Sequence, residues 1–191
     1  MSLHSLSRRR ACAALAAVAV AFGPAAIAAD MAKNSAATLN SEGQKTLNRL
    51  YAEVAAAKAI GGKAAAVLVF PKVTKAGFGI GGQYGEGVLL KGGRPVAYYN
   101  TAGVSTGLQI GAQQYGYAMF FMNDTALKSL DKAEGFEVGV GPSVVLMDEG
   151  MAKTTTTTTL DKDVYAFIFG QKGLMAGLGI QGNKITKINP K

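Results

Sequence analysis

An α+β domain that is mainly β, built as a small glycine-rich β-barrel with a few helices on its outside, is the fold this sequence predicts. Three features carry that expectation. The first is a pair of short apolar runs, Val67–Phe70 closed by Pro71 and Tyr117–Met122, of strand length and rich in branched and aromatic residues. The second is the stretch from Gly77 to Gly87, where five of the six glycines fall on odd positions and Phe78, Ile80 and Tyr84 on even ones. Successive side chains of a strand point to opposite faces, so one face is nearly bare. Glycine weakens an ordinary strand, and a run of this kind marks bending or close backbone approach. The third is Lys91-Gly92-Gly93-Arg94, a two-residue hairpin turn between strand-like segments.

Taken in order, residues 1–29 read as a cleaved secretory signal. Arg8, Arg9 and Arg10 precede the apolar stretch Ala11–Phe22, and Ala26-Ile27-Ala28 is a small-residue cleavage site. Residues 30–40 read as a flexible lead-in, and residues 41–191 as one domain. Ser41 with Gln44 resembles a capping box. Leu47, Leu50, Tyr51 and Val54 recur at helical spacing, Ala55–Ile60 continues the helix, and Gly61-Gly62 ends or kinks it. Asn123 is placed to cap a short helix over Asp124–Leu130. Phe136–Met147 returns to strand, interrupted by Gly139, Gly141 and Pro142. The threonines 154–159, flanked by charges, read as a loop. Val164–Phe169, Leu174–Ile180 and Lys184–Ile188 close the chain as strands, with Gly182-Asn183 as the last turn.

Export would remove chemistry from the chain. Cys12 and His4, the single cysteine and histidine, lie in the signal. The remainder has no thiol nucleophile, imidazole base or Cys/His zinc site. Gly77 to Gly82 fits G-x-G-x-x-G, but a dinucleotide loop must open a helix, and Gln83–Gly87 continues the strand pattern. Carboxylates are scattered or sit in polar loops, and Ser105 and Ser143 have no activating partner. No catalytic residue, metal or cofactor is expected, and the protein is not expected to be an enzyme. Without Arg8, Arg9 and Arg10, the 20 basic residues fall to 17 against 12 acidic ones, a net charge of +5 that favours anionic partners, without the dense Lys/Arg tracts typical of nucleic-acid arms.

Several blocks together resemble the SYLF domain family: Val67–Pro71, Lys75–Gly87, Tyr98-Tyr99-Asn100, Gly107–Gln113 and Phe167–Met175. The resemblance implies a compact β-barrel with outer helices, no enzymatic chemistry, and binding to membrane lipids, phosphoinositides above all, through a basic and helical N-terminal surface. Fungal members also bind actin. On this chain the residues that fit the lipid-binding role are Lys45, Arg49, Lys58, Lys63, Lys72 and Lys75. The expected setting is the periplasm or cell envelope of a bacterium, with peripheral contact to anionic phospholipids. The alternative is a structural envelope protein that acts by docking to other proteins.

Overall fold

The computed structural model describes residues 34–132, 135–147, 161–173 and 182–191. The signal segment, the threonine run and the strand expected over Leu174–Ile180 lie outside them. The chain runs through helix α1 (Ala36–Glu53), helix α2 (Ala55–Gly61) and two very long strands, β1 (Ala66–Lys91) and β2 (Arg94–Phe121). Helix α3 (Asp124–Lys128) leads through a 3-10 turn to β3 (Phe136–Glu137), β4 (Val144–Met147), β5 (Val164–Gly173) and β6 (Lys184–Ile188). The architecture is mainly β with few helices, and the sheet curls as a half-barrel.

β1 and β2 form one antiparallel hairpin whose ladder runs from Ala66↔Phe121 to Lys91↔Arg94. Its turn is the expected one: Gly92 and Gly93 take φ of 55° and 76°, as a type I′ hairpin requires. Strands of 26 and 28 residues far exceed the usual length and cannot stay flat. The ladder shifts register between Phe70 and Val73 and again between Phe78 and Ile80. Pro71, which has no N–H to give the ladder, sits in the first of these irregularities. Along its second edge β2 pairs with β6 over Tyr98–Ala102 and with β5 over Gln113–Phe121. β3 then extends the sheet from β6, and β4 runs parallel to β5.

The nearly bare glycine face turns out to lie against the first part of its own strand. A Cβ on Gly87 would sit 2.5 Å from the Val69 carbonyl oxygen and 2.7 Å from the Phe70 ring, and one on Gly85 would sit 2.7 Å from the Lys72 carbonyl. Only a residue without a side chain lets the two parts of β1 approach this closely.

Both faces of the sheet are buried, which is why the runs 66–70 and 117–121 are apolar throughout. Leu68, Phe70, Tyr117, Met119 and Phe121 join Phe136 and Ile185 in an inner core. Val67, Val69, Val88, Phe120 and Phe167 join Leu47, Leu50 and Ile60 in an outer layer beneath the helices. Gly43 of α1 rests on Val88, so the helix lies close to the sheet.

Two local outcomes differ from the sequence reading. α1 begins at Ala36, not at Ser41: Ser35 is the N-cap, its hydroxyl accepting from the Thr38 N–H at 3.2 Å, and Leu39 is already buried. The helix is also interrupted at Val54, which is extended (φ −128°, ψ 99°), so that α2 starts afresh. Ser35→Ala should cost about 1 kcal/mol, lowering the melting temperature by roughly 2–4 °C in a chain of this size. The short α3 follows expectation, with the Asn123 side chain accepting from the Ala126 N–H at 2.8 Å.

Candidate functional site: a basic outer face and a polar interior

The six predicted cations divide between the two faces of the sheet. Lys45 and Arg49 are exposed on α1, Lys58 is exposed in the last turn of α2, and Lys63 is exposed in the turn that follows. Lys58 complements the negative end of the α2 dipole. Lys72 is exposed beside the Pro71 irregularity. These five belong to the helical layer or to the neighbouring part of β1. Arg49 also faces Glu53 at 3.6 Å, an exposed i,i+4 pair, and its guanidinium lies over Gly170, whose φ is +62°.

Lys75 departs from the expectation. It is 3% exposed and stands directly opposite Gln113 in the β1–β2 ladder. The reason is strand geometry: Lys75 lies three positions after Lys72, so in one continuous strand the two point to opposite faces. Lys75 shares its face with Val73, a member of the inner core, and is not part of the outer basic surface.

Glu86, the other buried charged side chain among the described residues, lies on the helical face. It accepts from the Asn34 backbone N–H at 2.9 Å, from the Asn34 side-chain amide at 3.0 Å and from the Tyr84 hydroxyl at 2.9 Å. Its role is structural: it holds the chain just ahead of α1 against the sheet.

The interior contains a polar cluster that the sequence reading did not single out. The Tyr115 hydroxyl donates to Gln83 Oε1 at 2.7 Å, and the Gln83 amide donates to Asn183 Oδ1. Thr101 Oγ1, Gln113 Oε1, the Tyr117 hydroxyl and Asn183 Nδ2 are buried without a hydrogen-bond partner. The available signal was parity: Gln113, Tyr115 and Tyr117 alternate on one face of a strand whose continuation, Met119 and Phe121, is core.

Burial raises the tyrosine pKa values in this interior. Tyr99 is pushed up to about 12, by burial first and then by the neighbouring Asp131 carboxylate. Tyr115 and Tyr117 are pushed further up, again mainly by burial. The neutral phenols are favoured in the fold, so their contribution to stability is complete below about pH 10 and is lost as pH rises through 10 toward 12. In a spectrophotometric titration these three tyrosines should ionise together with unfolding; simple ionisation near pH 10 with the fold intact would contradict their burial.

The fold is a curled sheet with both faces packed and a cationic helical surface, and among the described helices none is long and apolar enough to cross a bilayer. Residues 102–190, from the middle of β2 through β6, match the family model described as Ysc84, Las17-binding protein actin regulator, in agreement with the SYLF resemblance of the sequence. No curated protein matches the chain.

Proposed function

We propose that this protein is a non-enzymatic lipid-binding domain that contacts anionic phospholipids, phosphoinositide-like headgroups included, weakly and reversibly at the bacterial cell envelope after export. The observation that carries the reading is the exposure of Lys45, Arg49, Lys58 and Lys63 on and just after the two helices, with Lys72 exposed in the neighbouring part of β1. Each cation near an anionic surface is worth about 1 kcal/mol. Five together supply at most about 5 kcal/mol, a dissociation constant near 0.2 mM. The apolar stripe of α1 adds nothing to this, because Leu47 and Leu50 are committed to the outer core. The contact is therefore electrostatic and peripheral.

Salt tests the reading. Co-sedimentation with anionic vesicles should fall steeply between low and physiological ionic strength, because exposed charges are screened beyond about 8 Å at 0.15 M. Binding indifferent to salt would reject it.

A second reading, docking to a protein partner, is favoured by two observations. The matching family is described as Las17-binding. Ile80 and Val104 are 69% and 82% exposed near the bend of the long hairpin, where Gly82 pairs with Val104. A packed protein interface would persist at high salt, so the same titration separates the two.

A further inference from the structure

We propose that the outer face of the β1–β2 hairpin near its bend, with Ile80 and Val104 at its centre, inserts shallowly into the surface of an anionic membrane. The proposal rests on the lipid-binding reading and adds to it an apolar contact. Ile80, Gly82 and Tyr84 share one face of β1 by alternation, and the ladder sets Gly82 opposite Val104 and Tyr84 opposite Ala102. Ile80 and Val104 are the two most exposed large apolar side chains among the described residues, and Gly82 and Ala102 beside them are exposed as well. The alternate residues Gly81, Thr101 and Asn183 are buried, so the patch lies on the outer face of the sheet.

Two observations select a lipid surface as the occupant. The first is continuity with the helical layer. Val88 and Tyr98 extend the same face by alternation; Gly43 of α1 rests on Val88, and Asn40 accepts from the Tyr98 hydroxyl at 3.0 Å. The patch therefore continues the side of the sheet that carries Lys45 and Arg49 on α1. The second is shape. Gly82 and Ala102 leave Ile80 and Val104 standing on a bare floor, and a fluid lipid surface receives isolated aliphatic side chains without a matching pocket, whereas a protein partner must supply a complementary one. Charge sets how the contact behaves. Lys184 stands opposite Ala102, and Glu137 stands opposite Lys184. The patch thus brings no net charge of its own, and its contribution is apolar and insensitive to salt, unlike that of the exposed cations.

The chain contains no tryptophan, so Val104→Trp places a single fluorescent reporter in the patch. On vesicles containing phosphatidylglycerol its emission should move to shorter wavelength and be quenched by brominated acyl chains. Val96→Trp, an exposed reporter beside the hairpin turn, should keep the emission of an indole in water. Co-sedimentation of the Val104→Trp protein with unshifted emission overturns the inserted patch and leaves the basic face standing; no co-sedimentation overturns both. An equal response at the two positions also overturns the proposal. A shift that appears without vesicles and grows with protein concentration assigns the patch to a second copy of the chain, and the lipid contact falls.

Ile80→Ser/Val104→Ser removes the patch without touching a buried side chain, so the melting temperature should not change. Vesicle affinity should fall by about tenfold, by the same factor at low and at physiological salt. Unchanged affinity at both salts overturns the proposal. Loss of an exposed cation such as Lys58 weakens binding chiefly at low salt, so the failure of one contact is read apart from the failure of the other.

Discussion

Gly87→Val should destabilise the protein by at least about 3 kcal/mol, lowering its melting temperature by roughly 6–12 °C. The added side chain would be driven into the Val69 carbonyl, 2.5 Å from the first new atom, and into the Phe70 ring at 2.7 Å. Neither can move away cheaply: Val69 and Phe70 are fully buried, one beneath the helices and the other in the inner core. Gly82→Ala is the matching control. Its Cβ would meet nothing nearer than the Gly103 carbonyl at 3.9 Å, and its φ is not left-handed. That substitution should be neutral, or stabilising by about 0.4–1 kcal/mol through the unfolded chain. Equal effects at the two positions would mean that the parts of β1 do not stack as described.

The second large effect concerns the outer face. Neutralising Lys58 and Lys72 together, as Lys58→Gln/Lys72→Gln, removes about 2 kcal/mol of attraction to an anionic surface. Vesicle affinity should fall about 30-fold at low salt. Neutralising Lys91 and Lys128 instead should have a much smaller effect. These two lie near the hairpin turn and at the end of α3, outside the helical face, and Lys91 is within 4.0 Å of Asp124. If both pairs weakened binding alike, the attraction would follow net charge and not a face.

Much of the fold was legible because its determinants are local. The Lys91–Arg94 turn needs two left-handed residues and has two glycines. Asn123 caps α3 as its position implied. The alternation of glycines from Gly77 to Gly87 announced a bare face. What covers that face was not legible, because the hairpin folds back on itself and brings Val69 to Gly87 across 18 positions that share no pattern. The apolar runs at 67–70 and 117–121 were also opaque to face assignment: a strand buried on both sides carries no alternation to read. Ser41 was read as the helix cap, but the helix starts earlier, capped by Ser35, because Leu39 in its first turn is already buried.

The candidate site was half legible. Charge and helical spacing located Lys45, Arg49 and Lys58. Counting basic residues without their parity grouped Lys75 with Lys72, although strand geometry alone separates them. The interior cluster was hidden for a different reason: Gln83, Tyr115 and Asn183 come together only through the pairing of β2 with β1 and β6. No spacing within the chain encodes that meeting.

The most direct test of the lipid-binding account is co-sedimentation of the purified protein with vesicles of graded anionic content at low salt. Bound fraction should rise from none on neutral vesicles to substantial binding on strongly anionic ones, with half-saturation in the sub-millimolar range of accessible lipid. Equal binding at every composition, or none at any, would contradict it.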